Sequence, residues 1–221
     1  MNCLIIAATA KEIAPFLEQF RTNKELLHAD LEIDVLITGI GLTATTYHLT
    51  RQIYLKRPGV VIQAGVAGCF DKQLSLGTVV TIKQDKIADE SVVELKKLKT
   101  LFDLRLLPQD QFPFRNGWLK NSNGEVFKKI KLRSVKGISV NQITSSKQMI
   151  SFYKQKFEPV TESMEGAACH YVCLAEKIPF LQVRSVSNYI GERNKKKWEM
   201  KDSIINLNHE LLRILRLLET K

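Results

Sequence analysis

The fold of this chain is decided by residues 162–198, which read ESMEGAACHYVCLAEKIPFLQVRSVSNYIGERNKKKW. Apolar residues recur between positions 164 and 177 at the spacing of a helix that packs on a sheet. Glu165 and Gly166 fall in the first turn of this predicted helix, and residues 180–186 are typical of a short buried strand. The stretch therefore predicts a helix followed by a strand, with a carboxylate at the helix start.

Three residues with hydrogen-bonding side chains, Ser187, Asn188 and Tyr189, come directly after that predicted strand. In open α/β sheets, ligands bind beyond the carboxyl ends of the strands. The same stretch therefore offers an amide at a strand end as well as a carboxylate at a helix start, and we predict a binding site there.

The rest of the chain repeats a pattern of strand, small-residue turn and helix, which indicates an α/β fold with a largely buried sheet. With 221 residues, one domain spanning residues 1–221 is the simplest count. Strands are predicted at residues 2–8, 33–38, 60–64, 76–82 and 135–140. Helices are predicted at residues 9–20, 43–55, 147–157 and 201–218, the first beginning at either Thr9 or Lys11.

Residues 85–133 are less regular and rich in aromatic side chains. Two interpretations stay open from the sequence. The segment is either an insertion that covers the binding site or a loop that packs around a small cluster of its own.

Composition excludes several classes of protein. Hydrophobic residues make up 44% of the chain, which argues against disorder, and the longest apolar runs are too short to span a membrane. The first apolar run has no basic segment before it, so we expect no signal peptide. The four cysteines show no metal-binding or disulfide spacing, so we expect them to be reduced in a cytoplasmic protein. The four histidines, which we interpret as structural, are His28, His48, His170 and His209.

The net charge of +10 is concentrated near residues 96–99, 128–133 and 193–201. Such charge indicates a nucleic-acid surface, a solvated face, or a field that attracts an anionic small substrate. No nucleic-acid-binding motif accompanies it, so we favour the solvated face and expect neither a nucleic-acid partner nor a membrane.

Glu12 has two interpretations of equal weight. It closes a capping box with Thr9 at the start of a helix, or it lies at the junction between the first strand and its helix. Pro15 is costly in a helix that begins at Thr9 but harmless in one that begins near Lys11. The later start would leave Glu12 near the carboxyl edge of the sheet.

An ordered set of segments resembles the nucleoside phosphorylase and hydrolase superfamily, most closely its bacterial hydrolase branch. That branch contains methylthioadenosine/S-adenosylhomocysteine nucleosidases and futalosine hydrolases. The matching segments are Glu12 and residues 38–41 (TGIG), 64–68 (AGVAG), 76–80 (LGTVV), 164–168 (MEGAA) and 184–188 (RSVSN). The resemblance implies a three-layer αβα fold around a central mixed β-sheet, assembled as a homodimer, and no cofactor or metal.

The resemblance also implies a role for each site residue. Glu165 would hold the ribose hydroxyls with Met164 against the sugar, and Glu12 would polarise the attacking water. Asn188, where the sibling nucleosidases carry an aspartate, would face N7 and the six-substituent of the purine. The base pocket would be lined by Ala67, Gly68 and Ile143.

The reaction implied is hydrolysis of an N-glycosidic bond. Phosphorolysis would need an arginine-lined anion pocket, and neither residues 39–43 nor residues 65–70 contain arginine. Arg21 and Arg51 cannot be placed from the sequence.

Residues 188–198 resemble futalosine hydrolase, which releases hypoxanthine from futalosine in the alternative pathway of menaquinone biosynthesis. Arg193 would pair with the substrate carboxylate, and Trp198, Phe112 or Phe114 would cover its phenyl ring. A solvated loop at residues 193–197 is the equal alternative. Two other functions stay open: a methylthioadenosine/S-adenosylhomocysteine nucleosidase, and a non-catalytic basic binding paralogue.

Overall fold

A mixed β-sheet of eight strands forms the centre of the computed structural model, which describes residues 2–22, 31–122 and 129–219. The strands of the chain, including a separate hairpin, are β1 (Asn2–Ala7), β2 (Glu32–Ile37), β3 (Val60–Cys69), β4 (Val79–Asp85), β5 (Ser91–Glu94), β6 (Lys97–Thr100), β7 (Leu119–Lys120), β8 (Ser134–Ser139), β9 (Thr161–Ser163) and β10 (Phe180–Tyr189). The α-helices that lie wholly within the described residues are α1 (Ala14–Thr22), α2 (Leu42–Leu55), α3 (Lys147–Phe157), α4 (Gly166–Ala175) and α5 (Met200–Glu219).

The strands of the main sheet follow the order β10-β4-β8-β9-β3-β1-β2, with β7 added beside β4. Strand β10 also pairs with β3 in parallel, so five of the strands close into a ring. Strands β5 and β6 form the separate antiparallel hairpin. Because β1, β2, β3 and β10 all run parallel, their carboxyl ends lie together at one edge of the sheet.

Helices cover both faces of the sheet, as the alternation along β1 shows. Cys3 and Ile5 pack in one buried cluster with residues of α1 and α5, whereas Leu4 and Ile6 pack in another with residues of α2 and α4. Successive side chains of a strand point to opposite faces, so one apolar strand contributes to both clusters. The predicted three-layer αβα fold is confirmed.

Two strands are longer than the sequence indicates, and two helices, α1 and α4, begin later and are shorter. The predicted turn of small residues after β3 is wrong, because β3 continues to Cys69 while it pairs with β10. The predicted position of Asn188 beyond the last strand is also wrong, since this residue belongs to β10. Glu165 occupies the N-cap position of α4, outside the first turn, since the helix begins at Gly166.

The described part of the insertion at residues 85–133 packs into aromatic clusters and does not line the main cavity. The Lys86 ammonium lies 4.7 Å from the ring centres of both Trp118 and Phe157. Phe114 packs against Phe102, with ring centres 5.2 Å apart. The described residues of this segment therefore pack around clusters of their own.

No helix among the residues placed in the structure is long and apolar enough to cross a membrane. All four cysteines are buried free thiols, as predicted. His28 and Lys128, part of the histidine and basic-charge interpretations, lie outside the described residues.

Candidate active site

A cavity of about 430 Å³ opens at the edge of the sheet where β3 and β10 end. It brings together every residue that the resemblance predicted for the catalytic groups and the base pocket. Two of the residues predicted to hold the carboxylate and phenyl ring of the substrate also line it. These residues are Glu12, Ala67, Gly68, Ile143, Met164, Glu165, Asn188, Arg193 and Trp198.

Glu12 bonds back to Thr9, though in a turn and not at a helix start, and it also lies at the junction between the first strand and its helix. One carboxylate oxygen, Oε2, accepts hydrogen bonds from the Thr9 backbone N–H at 3.0 Å and from the Thr9 hydroxyl at 3.2 Å. The other, Oε1, accepts from the Val66 backbone N–H at 3.1 Å and thereby reaches the cavity wall. Helix α1 begins only at Ala14, so Pro15 lies in the first turn, where its missing N–H costs nothing. The turn that holds Glu12 is therefore a separate element between β1 and α1.

Glu165 is buried beside the cavity and held from two sides. Its Oε1 accepts a hydrogen bond of 3.0 Å from the Gly41 backbone N–H. Its Oε2 lies 3.7 Å from Nη2 of Arg184, which makes an ion pair without a short hydrogen bond. Gly41 has a φ of +96°, a conformation that favours glycine, and this turn directs its N–H at the carboxylate.

Arg184 is a site residue whose role the sequence pattern did not reveal. Only 1% of its surface is exposed, although it is the largest fully buried side chain among the described residues. A methyl group on Gly65 would overlap the Arg184 guanidinium, so the glycine gives that group its room. The available signal was the alternation of two polar residues, Gln182 and Arg184, within an otherwise apolar strand.

A fully buried carboxylate, Asp85, lies behind the cavity, and burial raises its pKa to about 6. Ser139, Arg184 and Gln182 act in the opposite direction on this pKa, as does the Lys86 backbone N–H. Burial also lowers the pKa of His170 to about 4, so the imidazole is neutral at pH 7. No pattern in the sequence pointed to Asp85.

Asn188 lies where β10 bulges against β3, between Val186 and Asn188 in the pairing register. Its Oδ1 accepts a hydrogen bond of 3.0 Å from the Ser187 hydroxyl, and its Nδ2 donates to the Tyr189 carbonyl at 3.2 Å. These two partners orient the amide. Since an amide nitrogen carries two protons, one donor is left for a ligand.

Glu162 is a second cavity residue that the sequence did not single out. Its Oε1 accepts a hydrogen bond of 3.0 Å from the Thr144 backbone N–H, next to Ile143 in the cavity wall. Burial raises the pKa of Glu162. The residue therefore fixes the loop that carries Ile143.

Two cationic side chains, Lys11 and Arg193, contact the cavity and are exposed to solvent. The Arg193 guanidinium lies 5.8 Å from the ring centre of Trp198, whose indole N–H donates to the Glu192 carbonyl at 3.1 Å. Of the three predicted rings, only Trp198 lines the cavity. Phe112 and Phe114 do not, and neither do Arg21 and Arg51.

Within residues 2–22, 31–122 and 129–219, no group of three or more histidine, cysteine, aspartate or glutamate side chains is arranged to hold a metal ion. The groups that the predicted site offers for chemistry are its two carboxylates and one amide. A carboxylate accepts protons and stabilises developing positive charge, and an amide donates hydrogen bonds without titrating.

Residues 3–220 match the model of the Phosphorylase superfamily. A 5'-methylthioadenosine/S-adenosylhomocysteine nucleosidase of Tolumonas auensis is 28% identical over 90% of this chain and 91% of its own length. A futalosine hydrolase of Thermus thermophilus is 25% identical over 81% of this chain and 80% of its own.

The fold resembles that of a methylthioadenosine/S-adenosylhomocysteine nucleosidase of Colwellia psychrerythraea solved with adenine. The TM-score is 0.78 at 21% identity, covering 99% of this chain and 96% of the other. At this identity the likeness concerns the fold alone. The curated relatives, in contrast, are nucleosidases, and most are of the methylthioadenosine/S-adenosylhomocysteine type.

Proposed function

Because the chain belongs to the phosphorylase superfamily, we propose that it hydrolyses the N-glycosidic bond of a purine ribonucleoside. The observation that carries this proposal is the pair of carboxylates, Glu12 and Glu165, that line the same cavity. Each is fixed by a backbone N–H, from Val66 and Gly41 respectively. Both carboxylates are therefore positioned by the backbone and not only by other side chains.

Glu165 grips the ribose hydroxyls in this proposal. Cleavage of the bond passes through a sugar with oxocarbenium character, and a carboxylate against that sugar stabilises the positive charge as it develops. Glu12 orients the attacking water and accepts its proton, which is the part that a positioned carboxylate plays in general base catalysis. Met164 packs against the sugar beside them.

Hydrolysis is favoured over phosphorolysis by the placement of the arginines. Arg184 is buried with its charge directed to Glu165, so it is not free to bind phosphate. Arg21 and Arg51 lie outside the cavity, and Lys11 and Arg193 are exposed where the cavity meets solvent. An enclosed, arginine-lined anion site is absent from the described part of the cavity wall.

We propose futalosine as the nucleoside, and Asn188 is the reason. A 6-oxopurine presents an acceptor at O6, which the free donor of the Asn188 amide can meet. Asn188 does not titrate, so the proton that reaches N7 comes from water or another group. Arg193 and Trp198 then hold the acidic aromatic group on the 5′ side of the substrate.

Cleavage of methylthioadenosine or S-adenosylhomocysteine is the second candidate, favoured by the names of most curated relatives. The Thermus thermophilus relative supports futalosine at comparable identity. Overall similarity therefore does not separate the two activities, and our choice of futalosine rests on the chemistry proposed for position 188.

We also propose that residues 1–221 act as one nucleosidase domain and pair as a homodimer. Several large apolar side chains near the cavity or on α2 are exposed, including Ile40, Tyr47 and Tyr54. An apolar surface of this kind is typical of an interface between proteins. Sedimentation equilibrium should give twice the mass of 25.2 kDa, and a monomer mass would contradict this part of the proposal.

The test of the proposed function is incubation with futalosine, methylthioadenosine and inosine in phosphate-free buffer, followed by chromatography for the free base. We expect release of hypoxanthine from futalosine without added phosphate. If base appears only when phosphate is added, the enzyme is a phosphorylase. If no base appears in either buffer, the non-catalytic alternative is correct.

A further inference from the structure

A chain of buried polar side chains lies behind Glu165 and does not itself line the cavity. It starts at Asp85, the last residue of β4. One branch reaches the backbone just after Glu165, and the other reaches the Glu165 carboxylate. Its members are Asp85, Ser139, His170, Gln182 and Arg184, all of them buried.

One arm of this chain reaches the backbone that follows Glu165. The Ser139 hydroxyl donates to Asp85 Oδ1 at 3.0 Å and accepts from the Ala167 backbone N–H at 2.8 Å. The single hydroxyl proton points at Asp85, so the serine oxygen is free to receive the N–H at the start of α4. Asp85 therefore fixes the direction of this contact.

The other arm reaches the carboxylate through Gln182, whose amide satisfies its neighbours in one orientation. Its nitrogen donates to Asp85 Oδ2 at 3.2 Å and to His170 Nε2 at 2.8 Å, and its oxygen accepts from Arg184 Nε at 3.2 Å. The guanidinium then lies 3.7 Å from Glu165 Oε2. His170 Nδ1 is left to donate to the Leu119 carbonyl at 3.0 Å.

Gly166 shows how closely this chain fits the backbone beside Glu165. A methyl group at Gly166 would overlap both Asp85 Oδ2 and the side-chain amide of Gln182. The Asp85 carboxylate thus lies at the N-terminus of α4, where the helix dipole favours negative charge.

We propose that Asp85 is a positioning residue for Glu165, acting through Ser139 on the helix start and through Gln182 and Arg184 on the carboxylate. The proposal rests on the ribose-binding role proposed for Glu165. Asp85 touches no substrate; it determines where Glu165 meets one.

Asparagine in place of Asp85 would reverse the second arm. The Gln182 nitrogen donates to Oδ2 and needs an acceptor there. An asparagine amide nitrogen at that position would force the Gln182 amide to flip. Gln182 would then present a nitrogen to Arg184 Nε, and two donors would face each other. An unpaired buried donor is costly, so Arg184 shifts and Glu165 shifts with it.

The experiment compares kcat/KM for inosine and 2′-deoxyinosine in the wild type, Asp85→Asn and Asp103→Asn. In Asp85→Asn we expect a loss of about 10- to 100-fold for inosine, the effect of a misplacement of about 1 Å, and a smaller loss for 2′-deoxyinosine. The ratio of the two values therefore falls. Asp103 accepts hydrogen bonds from Thr100 N and Oγ1 at 2.8 Å and does not belong to the buried polar series. The Asp103→Asn variant should therefore keep the wild-type ratio.

A folded Asp85→Asn protein with the wild-type ratio would overturn the proposal. If that variant does not fold, Gln182→Met removes the Gln182 bonds to Asp85, His170 and Arg184 while keeping the Ser139 arm, and it should lower the same ratio. An unchanged ratio in Gln182→Met would also overturn the proposal. If the wild type cleaves no purine nucleoside, the proposed function fails instead. Crystal structures of the two variants then test the positioning role of Asp85. The hydrogen bond from the Gly41 N–H to Glu165 should be lost in Asp85→Asn and kept in Asp103→Asn.

Discussion

Glu12 shows how one side chain serves structure and chemistry together. Its Oε2 closes the turn at Thr9, while its Oε1 meets the Val66 N–H at the cavity. A glutamine keeps the size and part of this bonding but cannot accept a proton. Substitution by glutamine therefore separates the two roles.

We predict that Glu12→Gln lowers kcat by about 10²-fold or more, as expected for the loss of a general base, while KM changes less. Steady-state kinetics with the best nucleoside measure both constants. Glu18→Gln, on the exposed side of α1, is the matched control and should behave as the wild type. A near-normal kcat/KM in Glu12→Gln would leave Glu12 with its turn-closing role alone.

Substitution of Arg193 tests the part of the site that is proposed to hold the acidic aromatic group of the substrate. We predict that Arg193→Ala raises KM for futalosine, by removing the partner of its carboxylate, and leaves inosine cleavage nearly unchanged. Lys196→Ala removes a neighbouring exposed charge that does not line the cavity and is the control. Equal effects of Arg193→Ala on both substrates would favour the solvated-loop interpretation.

At the interface between α4 and β10, protonation of His170 makes the stability of the protein depend on pH. The folded protein holds the pKa of His170 at about 4, whereas the usual value is 6.5. As pH falls from about 6.5 to 4, the unfolded chain binds a proton that the folded protein does not, so His170 lowers stability over that range. Asp85 acts oppositely, because its folded pKa is raised to about 6.

We predict that His170→Gln becomes progressively more stable relative to the wild type as pH falls from about 6.5 to 4. Glutamine can still donate to the Leu119 carbonyl and accept from Gln182, but it does not titrate. Urea unfolding at several pH values measures the difference, and comparison of two proteins cancels the contribution of Asp85. A difference that stays constant with pH would show that His170 is not held neutral by burial.

The main elements follow from the sequence because apolar periodicity reflects which face of a helix or strand is buried. The helix at residues 147–157 agrees with that prediction residue for residue. The ends of β3 and β10 do not, since their extension depends on pairing with each other across many intervening residues. From the local sequence, a small residue such as Gly65 predicts a turn. In the structure Gly65 lies within β3 and leaves space for the Arg184 guanidinium.

The cavity residues follow from the family segments, whereas the residues that support them do not. Asp85 and Gln182 contact each other only because the closed ring of strands brings β4 beside β10. No local pattern marks such a pair. A buried polar network appears in a sequence only as isolated polar residues in apolar strands. The same pattern arises wherever one polar side chain bonds to a neighbouring backbone group, so it does not indicate a network.

Across the whole molecule, the parallel strands set the position of the site. Strands β1, β3 and β10 end at the same edge, so Glu12, the Val66–Gly68 backbone and Asn188 converge although they are far apart in sequence. The N-cap of α4 adds Glu165 to this edge. The fold thus gathers both carboxylates and the amide, and we propose that the residue at position 188 decides which base fits.

The role of Asn188 in choosing the base is tested by kcat/KM for futalosine and methylthioadenosine, measured on the wild type and on Asn188→Asp. We predict that the wild type strongly prefers futalosine, because Asn188 donates to O6 and a site with matched polar groups rejects the mismatched base. An ionised aspartate would face O6 with no proton to give, so Asn188→Asp should lose hypoxanthine release and narrow the preference. A wild type that prefers methylthioadenosine would contradict the futalosine assignment and establish the sibling activity in its place.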